Sequence, residues 1–140
     1  MAIWVPCPAL LVLSLQGHGE GAFAAEVVRA FETLATEGPL HVFADCESLD
    51  NYDSQLRTEL TGRFLPVRER IATLSVLVKS RFVAMGVTVM NLALGGIVSS
   101  ATDRANFVTG LDARLFDLRV VGFSSRALEL VRFRPAEARS

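Results

Sequence analysis

The sequence is poor in the side chains that carry most enzyme chemistry. Among 140 residues there are two histidines, two cysteines and one tyrosine. Charge of one sign is also missing: 14 Lys and Arg face 15 Asp and Glu, for a net charge of -1. With no basic excess to meet a phosphate backbone, nucleic acid is not expected as the main partner. Cys7 and Cys46 lie far apart and fit no C-x-x-C or zinc spacing, so they read as reduced, buried thiols and no metal site is expected. No repeat, low-complexity tract or linker divides the chain. What is abundant is apolar surface. Hydrophobic residues make up 51% and charged residues 21%, the balance of one folded domain with a sizeable core.

Two stretches imitate membrane signals. Ala9 to Leu15 is a short apolar run, and Ala22-Phe23-Ala24 looks like a cleavage site, but no Lys or Arg precedes the run and Pro6 and Pro8 stand where a basic region should be. The run reads as a core strand, and the expected compartment is the cytoplasm. Phe82 to Thr102 has no charge and is long enough to span a bilayer, yet Gly95-Gly96 splits it. A buried helix, a turn and a strand are expected there instead, with no membrane span.

Strand and helix patterns alternate along the chain. Ala9 to Leu15 is an expected buried strand closed by Gln16-Gly17. Phe23, Val27, Phe31 and Leu34 mark an amphipathic helix from Glu20 to Glu37, ended by Gly38-Pro39. Leu40 to Ala44 is a second strand with Asp45 at its carboxyl end. Asp53 is placed to cap a helix whose inner face is Leu56, Leu60, Phe64, Val67 and Ile71, broken near Pro66. Leu74 to Val78 is a third strand, Arg81 to Leu94 a third helix, Ile97 to Ala101 a fourth strand and Asp103 to Leu115 a fourth helix. Leu118 to Phe123 is expected as an edge strand, Ser125 to Phe133 as a short helix, and Pro135 to Ser140 as a frayed end. This order predicts an α/β fold: a mainly parallel, four- to five-stranded sheet packed by helices.

Several stretches resemble the STAS superfamily, and in particular the small bacterial SpoIIAA-like and STAS/SEC14-like domains. They are LLVLSLQG, HVFADCESLDNYD, LSVLVKSRFVAMGVTVMNLALGG and IVSSATDRANF, covering about residues 9–115 of a single domain 1–140, with 116–140 as a C-terminal extension. The resemblance implies a non-enzymatic regulatory module without a cofactor, binding a protein kinase or regulator through the loop after the second strand and the helix it enters. In the anti-sigma factor antagonists an Asp, two serines and a glycine stand at that helix. Here the aligned residues are Asp53, Ser54, Gln55 and Leu56, so Ser54 is the candidate for phosphorylation while Gln55 holds the place of the usual acceptor. The SEC14-like branch implies an alternative, a carrier or sensor of a small apolar ligand under the helices.

The residues themselves point to one edge. In a parallel sheet the ends of the second and third strands lie together, where ligands tend to bind. Asp45, Asp50, Tyr52, Asp53 and Ser54 fall there with Lys79 and Ser80, and form the expected partner-binding surface. Asp45 and Lys79 are expected to pair as a loop tie. The acids Asp45, Glu47, Asp50 and Asp53 offer oxygens of the kind a divalent cation takes, but their spacing does not match an EF-hand loop, and they read as a solvated, helix-capping loop. His18 and His41 have no nucleophile-elbow serine to serve. The third helix is apolar almost all round. One stripe, Val83, Val87, Met90 and Leu94, is free to face the sheet. Phe82, Met85, Val89 and Met90 are expected to meet either a covering element or a second copy, as a homodimer.

Overall fold

A computed structural model describes residues 1–34 and 37–132. Its elements in chain order are β1 (Ala2–Cys7), β2 (Leu10–Ser14), β3 (Gly17–Gly19), α1 (Phe23–Phe31), β4 (Leu40–Cys46), β5 (Leu49–Tyr52) and α2 (Ser54–Phe64). A 3-10 turn (Leu65–Arg70) leads to β6 (Ile71–Val78), α3 (Arg81–Ala93), β7 (Val98–Ala101), α4 (Arg104–Asp117) and α5 (Arg126–Arg132).

The main sheet has the order β1-β2-β4-β6-β7. β1 runs antiparallel to β2, and the other neighbours are parallel. β2 is buried at every position, which is why its sequence is a continuous apolar run rather than an alternating one. Alternation still decides which face each side chain enters. Leu11, Leu13, Val42, Ala44 and Val76 pack with α1, α2 and α3. Leu10, Val12, Phe43 and Leu77 pack with Phe107, Leu111 and Leu115 of α4 and Leu128 of α5. Each fully buried leucine is worth about 1.5–3 kcal/mol of transfer free energy, so these two layers dominate over local propensity.

The expected α/β architecture is present, with differences that have local causes. α1 stops at Phe31, not Glu37. Thr33 donates its hydroxyl to the Ala30 carbonyl at 2.6 Å, and Leu34 closes a turn on Phe31. Gly38, at φ 87°, therefore turns the chain into β4 and does not cap α1. The break at Pro66 is real: α2 gives way to the 3-10 turn, with the proline at its start. Ile71 is not on a helix face but opens β6. Leu118 to Phe123 is not a strand. Arg119 at φ 55° and Gly122 at φ 83° turn the backbone, and bonds from Val120 N–H to Leu115 O and Arg119 N–H to Phe116 O (both 3.0 Å) make a Schellman end for α4. The sheet's margins are β7 and, unmarked in the sequence, β1, where Pro6 fits an outer position.

α3 ends as the glycine pair requires, with Gly95 at φ 78° and Gly96 N–H on the Asn91 carbonyl at 2.9 Å. The Asn91 amide oxygen accepts from Val98 N–H at 2.8 Å and so leads the chain into β7. No described helix is long and apolar enough to cross a membrane. Cys7 and Cys46 are free thiols, but only Cys46 is buried as expected, its burial pushing the thiol up to about 12, while Cys7 at the end of the outer strand β1 is partly exposed. The residues Pro135 to Ser140, and Phe133 of the last expected helix, lie outside the described residues.

Candidate functional site

Beyond the carboxyl ends of β2 and β4 the two chain segments continue side by side. Leu15 N–H reaches Asp45 O at 3.0 Å, Gly17 N–H reaches Ser48 O at 2.8 Å, and Asp53 N–H reaches Gly19 O at 2.7 Å. β3 and β5 thereby form a short parallel ribbon that carries the site past the edge of the main sheet. Sequence periodicity could not show it, because β3 is the tripeptide Gly-His-Gly and offers no alternation.

Pairing within this ribbon sets His18 beside Asn51. One ring nitrogen of His18, Nδ1, bonds Asn51 Oδ1, and the other, Nε2, lies 2.7 Å from Asp53 Oδ1. The second Asp53 oxygen accepts from Gly21 N–H at 2.8 Å. Asp53 does occupy the extended N-cap position of α2, but its carboxylate makes no cap bond there. The expected helix cap is thus replaced by a clamp between α2 and the β3 loop, because Gly21 and His18 engage both oxygens.

The clamp has a defined pH window. The bond to Asn51, then that to Asp53, raises the His18 pKa above its ordinary 6.5. Gly21 N–H, then His18, lowers the Asp53 carboxyl below its ordinary 3.8. The His18 contribution is complete below 6.5 and is lost as pH rises through the raised value. The Asp53 contribution is complete above 3.8 and is lost as pH falls through the lowered one. An NMR titration of the His18 ring should give a midpoint above 6.5, which Asp53→Asn should bring down. A wild-type midpoint at or below 6.5 would exclude the clamp.

The same edge is tied to α3. Ser80 caps that helix, its Oγ accepting from Val83 N–H at 3.4 Å, while its hydroxyl donates to the Asp50 carbonyl at 3.0 Å. Tyr52 lies against Phe82 with ring centroids 5.0 Å apart. It fits only because residue 86 is glycine: a Cβ there would come within 2.1 Å of the Tyr52 hydroxyl oxygen. Asp50, Asn51, Asp53, Ser54 and Lys79 are exposed, Ser80 and Tyr52 partly so. The structure therefore brings six of the seven expected site residues to one surface.

Asp45 is the exception. It is 4% exposed, and its partner is Arg104 rather than Lys79. Odd and even positions of β4 point to opposite faces, and Asp45 shares the α4 face with Phe43. Arg104, the first residue of α4, has Nη1 at 2.9 Å from Asp45 Oδ2 and 3.5 Å from Glu47 Oε1, and Nε at 2.6 Å from Glu129 Oε1. Burial works against this guanidinium, but Glu129 and Asp45 outweigh it and hold its proton more tightly than usual. Among the described residues no group of His, Cys, Asp and Glu is arranged to hold a metal ion.

α3 divides into two stripes. Val83 and Leu94 are buried, and Val87 and Met90 pack against the core beneath them. Phe82, Met85 and Val89 are exposed as expected, but Met90 is not among them, and Leu92 at 78% exposure takes its place. A step from 89 to 90 turns the helix by about 100°, which carries Met90 onto the inner stripe. Under α2 and α3 lies an apolar cavity of about 90 Å³, with Leu56, Leu60, Phe64, Val83 and Met90 in its walls. A larger depression of about 630 Å³ lies between α1, Leu40 and the 3-10 turn, and its walls include Glu32, Glu59, Arg63 and Arg70.

No family model matches the chain. No curated protein matches it either. Among solved structures it is similar to an uncharacterised DUF3478-family protein from Shewanella loihica PV-4, which has a SpoIIAA-like fold. The TM-score is 0.57 at 12% sequence identity, over 73% of this chain and 83% of that one. The expected resemblance is thus met at the level of architecture: this chain has a SpoIIAA-like fold.

Proposed function

We propose that the chain is a non-enzymatic, regulatory protein-binding domain whose docking edge is the β5–α2 loop with the start of α3. The observation that carries this reading is the surface itself. Exposed Asp50, Asn51, Asp53, Ser54 and Lys79 surround the half-buried Tyr52 on a frame held by main-chain bonds and by Ser80. A preorganised surface with an aromatic floor and a polar rim suits a protein contact. His18 supports the same view, since both of its ring nitrogens already face acceptors and neither is free to take a proton from a substrate. Asp45 contributes from below, by fixing the end of β4. Ser54 is the candidate phosphoryl acceptor of this reading, exposed at the first position of α2, where a partner kinase would act and where the helix dipole favours added negative charge.

The carrier alternative fits less well. The apolar cavity under the helices, about 90 Å³, is well below the several hundred cubic ångströms that a drug-sized or lipid ligand fills, and the depression of about 630 Å³ has Glu32, Glu59, Arg63 and Arg70 in its walls, which do not suit an apolar ligand.

Charge reversal tests the docking edge. Asp50→Lys alters an exposed side chain and leaves the backbone carbonyl that accepts from Ser80. Stability should stay within about 0.5 kcal/mol of wild type. Proteins that co-purify with the wild type in quantitative mass spectrometry should be depleted with Asp50→Lys and with Ser54→Lys. Retention of the same set by both variants would place the docking surface elsewhere.

A further inference from the structure

The outer stripe of α3 is large and contiguous. Phe82, Met85, Val89 and Leu92 are 52%, 68%, 48% and 78% exposed. Spaced by three, four and three, they fall within about 80° of the helix surface. Their exposed area is on the order of 500 Å², at the upper end for a monomer's largest apolar patch and over half of what each side gives to a standard interface.

The spacing has a symmetry that points to one occupant. Phe82 stands five residues before Val87 and Leu92 five after it, while Met85 stands two before and Val89 two after. A helix with that pattern is complementary to itself when turned end for end about a two-fold axis at position 87. Phe82 of one copy then meets Leu92 of the other, and Met85 meets Val89, so apolar residues meet apolar ones at all four positions. Charge favours the same orientation. The first turn of α3 has no acid and its last turn no base, although Lys79 and Arg81 stand exposed at its N-terminal end. That is the wrong end of the helix for cations. Antiparallel packing carries Arg81 to the C-terminal carbonyls of the opposite α3, where a cation is favoured, whereas parallel packing would set the cations of both copies together. A closed two-fold contact of this kind uses the same patch on both subunits.

We propose that two copies of this chain dimerise through α3, packed antiparallel about an axis at Val87. The proposal adjoins the docking edge through Phe82 and Tyr52 but does not rest on that reading, because the purified chain alone tests it. Sedimentation velocity over a concentration series should show a monomer–dimer equilibrium. Met85→Glu and Leu92→Glu should each weaken it by about tenfold or more while circular dichroism stays unchanged, since each would bring a charge into an apolar contact. Both positions are more than half exposed, so folding should survive. Disulfide trapping reads the orientation. In a Cys7→Ser background, an oxidised mixture of Met85→Cys and Val89→Cys chains should cross-link more readily than either chain alone. A wild type that stays monomeric throughout, a dimer indifferent to both glutamates, or faster trapping of Met85→Cys with itself would each overturn the proposal.

Discussion

Arg104→Met is expected to cost the domain about 3–5 kcal/mol, because it strands a buried carboxylate. Asp45 is 4% exposed, and Arg104 is the cation beside it at 2.9 Å. Glu47 lies at 3.5 Å from the same nitrogen, with its side chain 15% exposed. Glu129 is 44% exposed and can turn to water, so the loss falls mainly on Asp45. Methionine keeps much of the packing of the arginine stem and removes only the charge. Urea unfolding would measure the loss directly. The double variant Asp45→Asn/Arg104→Met should recover a large part of it, since the uncompensated charge is then gone. Added salt should change the wild-type stability little, because a buried pair is poorly screened. A single variant within 1 kcal/mol of wild type would show that Asp45 does not depend on Arg104.

Phe64→Ala should have a comparable effect from the opposite face. α2 buries only Leu56 and Phe64 fully, and the rest of the helix is largely polar. Phe64 packs edge-on against Phe31, with centroids 5.2 Å apart, and also walls the apolar cavity. Truncating it should cost about 3–5 kcal/mol. For a domain of this size that corresponds to a fall of roughly 10–15 °C in Tm. The exposed Thr58→Ala on the same helix should be nearly silent. The space left by the ring would join the existing cavity, and cavities of about 150 Å³ take up benzene. Benzene should therefore raise the Tm of Phe64→Ala and leave the wild type almost unaffected. A loss below 1 kcal/mol would mean that α2 is held by something other than this ring.

The order of strands and helices was legible because β2, β4 and β6 are apolar runs and the helices between them carry apolar residues at helical spacing. Other elements had none. β1 holds Pro6 within AIWVPC, and its outer position leaves its side chains half-buried, so neither alternation nor a continuous run marks it. β3 and β5 are three and four residues long, and arise from pairing between segments some thirty residues apart. The same distance hid the clamp: Asp53 was readable as a cap, but its real partners, His18 and Gly21, come from the other ribbon segment. Arg104 was illegible for a different reason. It stands at a helix N-terminus, where local electrostatics disfavours a cation, and its carboxylates come from β4 and α5. The outer stripe of α3 was largely readable, because helical spacing alone determines it.

Pro6 has a consequence for how copies of this protein can meet. An open sheet margin is a template on which another chain can lengthen the sheet, strand upon strand, toward a fibril. At β1 the pairing is irregular between Trp4 and Cys7, and the proline within that interval has no amide to offer. At the opposite margin β7 is four residues long and shows solvent two serines, Ser99 and Ser100. Both margins thus make poor templates, and concentrated solutions should resist growth into ordered aggregates even though the core is rich in β-formers. Contacts between copies are left to side chains, which can close a small assembly and stop.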